Sequence, residues 1–430
     1  MKALQLLFRG KIAHNAIWLI GARIYHAAVN LVISLLMARY LGPANYGLIN
    51  YAASFTALFT SFCTLGINGI LVNELLNEER QGRLLGSAIA MRLCSSFLSV
   101  VTIGALAFVL NPDEPSTVWV VLIYSTTLIF QSFDSINCWY QANLQSKTTA
   151  QISAVGYTVV AIYKAWLLLT NKNVYWFAAS HAVEYAFVAV LLLRCYKKHS
   201  KADQKLHFSP NIARNVLSKS YHFILSGMMV ALYGQMDRLM LKSMIDDVSV
   251  GYYASAVSVT TMWTFILSAI IDSVKPVILS KFCTNREHFD RGLICLYGAI
   301  TYICVAVAVV ISLFSKYIIL LLYGEAYLNA RSALCILCWD TAFSYLGVAR
   351  SIWMVPNGKQ SYEKYIAAAG AVCNLVLNWI MIPLWGISGA AIATLVTQLF
   401  TNFIVGFFFR EIRENSFLIL KAFCFWRYLN

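Results

Sequence analysis

The strongest constraint on this chain is the length of its apolar runs. Stretches of Leu, Ile, Val, Phe and Ala repeatedly reach the roughly 20 residues that a helix needs to cross a bilayer, with only short polar segments between them. Reading them in order gives twelve candidate spans: 13–38, 47–73, 84–110, 117–140, 148–170, 174–195, 217–241, 250–275, 290–315, 332–355, 362–383 and 388–410. In hydrocarbon each backbone N–H and C=O must find its partner inside the protein, so apolar runs of this length are helices. Only 12% of the residues are charged, against about 25% in a soluble domain. The expected class is an all-α, multi-pass membrane protein with twelve transmembrane helices.

The polar segments set the orientation. Positive loops stay on the cytoplasmic side, and with the N-terminus inside, the cytoplasmic segments together with the span ends that adjoin them hold 23 of the 33 Lys and Arg. The outer loops then hold Arg39, Lys172, Lys242, Lys316 and Arg331, and the outer segment 111–116 has two acids and no base. Both termini are therefore expected in the cytoplasm. Three cations, Lys2, Arg9 and Lys11, lead directly into the first apolar run, with no small-residue cleavage site, so that run reads as an uncleaved span. A net charge of +14 would suggest nucleic acid in a soluble protein; here it follows the loops, and no nucleic-acid partner is expected.

The chain also repeats itself. The turn Leu41-Gly42-Pro43-Ala44-Asn45-Tyr46-Gly47 joins the first two spans, and Ile245-Asp246-Asp247-Val248-Ser249-Val250-Gly251-Tyr252 takes its place between the seventh and eighth. Aligning Gly47 with Gly251 sets an offset of 204 residues. An even number of spans in each half makes the repeat parallel, about an axis along the membrane normal. The expected organisation is a six-helix lobe over 1–195, a cytoplasmic linker over 196–216, a second six-helix lobe over 217–410, and a tail over 411–430 that lies at the membrane interface.

Ten charges fall within spans: Arg23, Arg92, Lys164, Arg238, Arg350, Asp134, Glu184, Asp237, Asp272 and Asp340. A charge at mid-bilayer costs about 2.5–3.5 kcal/mol on the lenient insertion scale, so these side chains must meet one another, a wet cavity or the interface. Snorkelling is open for Arg92, Asp272 and Arg350, and ion pairs between helices for all ten. The first helix carries Asn15, Arg23, His26, Asn30 and Ser34 within about 100° of arc at 100° per residue, the pattern of a helix lining a hydrated cavity. The 204-residue offset carries that face onto Gly227, Val230, Gly234 and Arg238, placing Arg238 beside Arg23 in a common space. Asp237 lies about 100° away on its helix, on a face with His222, Ser226 and Tyr233. Arginines in such a space favour anions, phosphate above all. Substrate binding is thus expected at Arg23, Arg238, Lys164 and Arg350, and ion coupling at Glu184, Asp237 and Asp340. Cys335 and Cys338 have metal-like spacing but no second ligand pair nearby, where zinc usually needs four; they read as helix wall, with no metal or cofactor expected.

Several motifs then carry a resemblance: the 41–47 turn, Leu65-Gly66-Ile67, Asp237-Arg238 followed by Gly251-Tyr252-Tyr253-Ala254, Tyr323-Gly324-Glu325-Ala326-Tyr327, and Asn357-Gly358-Lys359. The longest block is Asn374-Leu375-Val376-Leu377-Asn378, continued by Ile382-Pro383 and Gly386-Ile387-Ser388-Gly389-Ala390-Ala391-Ile392-Ala393-Thr394. In order and spacing the chain resembles the Wzx-type O-antigen and polysaccharide flippases of the multidrug/oligosaccharidyl-lipid/polysaccharide exporter superfamily. The resemblance implies a MATE-like fold, two lobes around a cationic cavity, and alternating access on an undecaprenyl-diphosphate-linked oligosaccharide in the bacterial inner membrane. It also implies membrane lipid as a partner, with a glycan polymerase and chain-length regulator of the same pathway. One departure is the turn at Asp246-Asp247, which lacks the Gly-Pro of the first copy.

Two rivals stand beside this reading. A cation-coupled drug antiporter of the same superfamily would favour acids over bases in its cavity. A membrane-embedded glycan polymerase would need a larger outer loop than any here, and the chain has no phosphate-binding glycine loop, metal-ligand helix motif or nucleophile elbow. The expectation is a transporter and not an enzyme.

Overall fold

The computed structural model describes residues 11–77, 81–200, 204–282 and 284–424, which form helices joined by short turns, with no strand among the described residues. The helices are α1 (Lys11–Thr64), α2 (Asn68–Asn77), α3 (Gln81–Leu110), α4 (Pro115–Ala142) and α5 (Ser146–Leu169). There follow α6 (Val174–His199), α7 (Pro210–Met244), α8 (Asp247–Leu279) and α9 (Arg286–Leu322). The last three are α10 (Ala330–Met354), α11 (Tyr362–Phe407) and α12 (Arg413–Ala422). Nine helical stretches among the described residues are long and apolar enough to cross a membrane. Two of these are double. α1 breaks at Gly42, where φ is 71°, and α11 breaks at Gly386, where φ is 57°, a left-handed backbone that glycine adopts without a Cβ clash. α7, which holds the seventh expected span, carries more polar residues and is not among these nine.

The two copies of the repeat make their turns by different chemistry. In the first, Gly42 reverses the chain and Pro43 opens the next helical segment, where its missing N–H costs nothing. In the second, the residue at the Gly42 position is Asp246, extended at φ −170°, whose carboxylate accepts from the Ser249 backbone N–H at 2.7 Å. Asp247, at the Pro43 position, pairs with Lys242 at 2.6 Å. An N-cap thus replaces the glycine-proline corner.

The chain divides into two compact units, one of residues up to 41 with 48–231, the other of 42–47 with 232–430. The division falls inside α7, whereas the sequence places it in the 196–216 connection. The packing of α7 accounts for this. A Cβ on Gly66 would come 2.7 Å from Ser220 O and from Phe223 Cβ, and Lys219 Nζ bonds Glu74 at 2.9 Å. The first half of α7 is therefore built into the first unit.

In the first unit, Ile67 and, from α2, Leu71 and Leu75 pack with Leu85, Trp139, Tyr140, Leu192 and Tyr196. In the second, Leu293 and Tyr297 of α9, Trp353 of α10, Ile366 of α11 and Ile419 of α12 form the corresponding core. The tail begins with α12, which is tied to α9 by Asn415 Nδ2 donating to Tyr297 Oη at 2.7 Å and by Tyr302 Oη donating to Phe423 O at 2.8 Å. Phe417, Leu420 and Phe423 remain exposed on its other side.

Candidate functional site

Each unit carries its own polar site inside the apolar helices. In the first unit, α5 and α6 are neighbours joined by a short turn, and this brings Lys164 Nζ within 3.3 Å of Glu184 Oε2. α1 supplies His26, whose Nε2 lies 3.8 Å from Glu184 Oε1 and whose ring sits 3.8 Å from that of Tyr157. His26, Asn30, Tyr157, Lys164 and Glu184 line a small cavity of about 20 Å³, room for about one water. Lys164 is buried, and Glu184 is half-buried. Of the α1 face expected to line a cavity, His26 and Asn30 border this one; Ser34 lies one turn further along, half-buried. Asn15 and Arg23 fall on the same helix, but their side chains lie outside the described residues.

In the second unit the centre is Asp237 on α7. Its carboxylate is buried and accepts four hydrogen bonds, from Asn378 Nδ2 at 2.6 Å, Tyr253 Oη at 2.6 Å, Thr394 Oγ1 at 2.8 Å and Asn374 Nδ2 at 3.1 Å. The fold supplies these donors from two helices, α8 and both segments of α11. Asn374 and Asn378 are i and i+4 on one face of α11, Thr394 follows the Gly386 break and returns beside them, and Tyr253 comes from α8. All four donors are neutral, so hydrogen bonds and not an ion pair hold the carboxylate charge. Asn378 Oδ1 is buried without a partner. An anionic oxygen, an orphan amide oxygen and a hydroxyl converge here, the oxygen-only chemistry that suits a small hard cation or a proton.

Asp237 opens onto a cavity of about 310 Å³ that Tyr233, Gly234, Arg238, Asp340, Tyr345 and Gln398 also line. The two faces of α7 that helical periodicity separates, Gly234 with Arg238 and Tyr233 with Asp237, both border this one space. Arg238 Nη1 donates to Gln235 Oε1 at 3.2 Å, and Asp340 Oδ1 accepts from Thr341 Oγ1 at 3.4 Å. A guanidinium and two carboxylates therefore share a cavity without pairing among the hydrogen bonds just described.

The other in-span arginines are held by their own partners. Arg350 is buried and donates from Nη1 to Thr401 O at 3.1 Å, within the π-helical turn 400–404 of α11, and from Nη2 to Asn402 Oδ1 at 3.5 Å. These contacts tie α10 to α11, and Arg350 is not among the residues lining the 310 Å³ cavity. Arg92, also buried, donates to Ser135 Oγ at 2.8 Å, Gln131 O at 2.9 Å and Asn68 Oδ1 at 3.1 Å. Cys335 and Cys338 bond to Ser315 and to the backbone of α9 and α10, and no cluster of three metal-ligating side chains occurs among the described residues.

Sequence reasoning counted formal charges and so passed over the four neutral partners of Asp237. Asn374, Asn378, Tyr253 and Thr394 stood only as motif residues. The available signal was the asparagine pair at helical spacing inside an apolar span.

Known proteins agree with this architecture. The family described as Polysaccharide biosynthesis protein matches residues 12–282. The Capsular polysaccharide biosynthesis protein CapF of Staphylococcus aureus is 20% identical over 414 residues, 93% of this chain and 99% of that protein. Among solved structures, the lipid II flippase MurJ in an inward closed conformation superposes with a TM-score of 0.71 at 15% identity, covering 96% of this chain and 93% of that one. A multidrug resistance MATE family transporter of the MOP superfamily, inward-facing, gives 0.69 at 16% identity, covering 92% and 96%. The chain belongs to the polysaccharide biosynthesis protein family and has the all-α, MATE-like fold of MOP-superfamily transporters.

Proposed function

We propose that this protein moves a lipid-linked oligosaccharide, an undecaprenyl-diphosphate-linked repeat unit, from the cytoplasmic to the outer leaflet of a bacterial inner membrane for O-antigen or capsule synthesis. The observation that carries the reading is Arg238, a guanidinium bordering a cavity inside the helices of a chain from a polysaccharide biosynthesis family. Such a charge is costly in a bilayer. It is retained where it meets an anion, and its fork of donors matches a diphosphate. Arg23 and Lys164 are the cations of the first unit assigned to the same substrate. The polyprenyl tail stays in lipid while the head group is carried by alternating access. Both termini face the cytoplasm, where the basic loops lie.

Outward movement of an anion is favoured by an inside-negative potential, by about 2.3 kcal/mol per charge per 100 mV. If cationic side chains travel with the head group, the net charge moved falls and a coupling ion is needed. Asp237, with the oxygens of Asn374, Asn378 and Thr394, is assigned as that ion's site, and Asp340 as the second acid of the same cavity. A polymerase and a chain-length regulator would take the product on the outer face.

The test replaces Arg23 and Arg238 separately with alanine in a strain lacking the native exporter and measures surface glycan. Each well-expressed variant is expected to lose most of it; normal glycan from both would overturn the anion pathway. The presence of Asp237 and Asp340 in one cavity favours a second reading, a cation-coupled drug antiporter. Drug resistance that R238A leaves intact, alongside unchanged surface glycan, would establish that reading instead.

A further inference from the structure

Lys164 is the one in-span cation of the first unit whose described contacts give it a carboxylate partner. The distance of 3.3 Å from Lys164 Nζ to Glu184 Oε2 is that of an ammonium holding an anionic oxygen. Glu184's other oxygen faces His26, and Asn30 and Tyr157 close the same small cavity. Side-chain exposure rises from 5% at Lys164 through 15% at Glu184 to 40% at His26, so the ammonium lies at the bottom of a cleft that opens past the imidazole. A cavity of about 20 Å³ admits a single oxygen atom and not a sugar ring.

We propose that Lys164, His26 and Asn30 form a phosphate subsite that Glu184 fills at rest as an internal substitute for the substrate's diphosphate, so that binding requires Glu184 to take a proton. The inference rests on the flippase reading and names how its first unit engages the head group. A substrate oxygen that displaces an ionised Glu184 would leave two anions beside one buried ammonium, where like charges repel strongly at low dielectric. Protonation of the carboxyl removes that repulsion, and its O–H can then donate to the incoming oxygen. One proton enters per head group bound and leaves when the head group is released. In the first unit, proton uptake and recognition are then one event at one ion pair, alongside the ion site assigned to Asp237 in the second.

Other titratable groups surround this pair. His26 faces Glu184 from α1 and Tyr157 from α5; Tyr185 of α6 and Asp134 of α4 lie within electrostatic reach of Tyr157, and His181 of α6 lies beside Lys164. His26 is the group whose charging would imitate the proposed effect, since an imidazolium also attracts an anion.

The test measures binding of undecaprenyl diphosphate to the full-length protein in nanodiscs at pH 8 and pH 6. Wild type is expected to bind more tightly at the lower pH, by at most about tenfold per unit for one linked proton. E184Q is expected to bind at pH 8 at least as tightly as wild type does at pH 6, and with no pH response. K164Q should bind weakly at both. The double variant K164Q/E184Q removes both charges together and so guards against misfolding from an unpaired buried lysine; it should be folded, weak and flat. An E184Q protein that keeps the wild-type pH response, or a double variant that binds like wild type, overturns the proposal and points to His26, while leaving the flippase reading intact. Wild type that fails to bind at any pH overturns both. Inorganic pyrophosphate should compete with the probe and an equal amount of phosphatidylglycerol should not. If phosphatidylglycerol alone abolishes the pH response, the subsite reads lipid headgroups and the diphosphate assignment falls.

Discussion

Gly47 and Gly251, equivalent residues of the two copies of the repeat, lie against each other. A Cβ added to Gly47 would overlap the Asp247 carbonyl and come 2.8 Å from Gly251 N, and one added to Gly251 would overlap the Pro43 carbonyl. These two contacts are the same contact: Pro43 and Asp247 are also 204 residues apart. The segments 43–47 and 247–251 therefore cross about a local twofold axis, backbone to backbone, where small residues let membrane helices approach.

Symmetry of that kind makes a quantitative prediction. Gly47→Ala and Gly251→Ala should each destabilise the protein by about 1–3 kcal/mol, the usual cost of over-packing, and by similar amounts, because each inserts a methyl group into the same carbonyl contact. Thermal unfolding of the purified variants measures this. A large effect at one position with none at the other would show that the crossing is not symmetric.

The two turns that precede this crossing should respond differently to substitution. Asp246→Ala removes an N-cap and is expected to cost about 1 kcal/mol, while Asp246→Asn or Asp246→Ser should restore most of it, since each side chain still accepts from the Ser249 N–H. At Gly42 no side chain helps. The position is open in space but left-handed, at φ 71°, so Gly42→Ala costs about 1–2 kcal/mol from the backbone alone, and a β-branched residue costs more. Melting temperatures of the four variants test both statements.

How much of this was legible in the sequence depends on the range of the forces involved. Helix existence is local: apolar runs and the breaks at Gly42 and Gly386 were readable because bilayer thickness and glycine's backbone freedom act within a few residues. The 204-residue offset was readable too, from Gly47 and Gly251. What periodicity could not supply was the partner of each charge. Periodicity put His26 and Asn30 on one face, and both line the small cavity, but their neighbours Lys164 and Glu184 are set by how α5 and α6 pack. Asp237 was separated from Arg238 by 100° of helix, yet a cavity as wide as 310 Å³ takes in both faces. The division inside α7 was hidden because a continuous helix can belong to two packing units at once.

Arg92 should prove structural. Its three polar partners come from α2 and α4, so Arg92→Ala would leave them unpaired in the core at about 1–3 kcal/mol each before relaxation. Arg92→Lys keeps the charge but not the fork, and is expected to recover only part of the stability. The measurement is expression level and thermal stability together with transport per folded molecule. The latter should stay near wild type wherever folded protein is obtained, in contrast to R238A, which should express normally and fail to transport.

Asp237 offers the sharpest discrimination between structural and functional roles. Four neutral donors hold its carboxylate in place, so Asp237→Asn keeps the shape but loses the negative charge, and its new N–H₂ group must face donors already in position. If the carboxylate exists to bind a cation, the wild-type protein should be stabilised by the coupling ion according to RT ln(1 + [L]/Kd), about 2.7 kcal/mol at a hundredfold excess over Kd, and the variant should not respond. Melting curves in sodium against choline at constant ionic strength, repeated across pH, measure this. A sodium-specific rise in wild type that D237N abolishes identifies sodium, and a pH response abolished in the same way identifies the proton. Asn378→Asp should then strengthen cation binding, because it places a second carboxylate where Asn378 Oδ1 now lies buried without a donor. Equal responses from wild type and D237N to both sodium and pH would make the cluster a structural clamp between α7, α8 and α11, and would leave the pair of Lys164 and Glu184 as the one proposed coupling site.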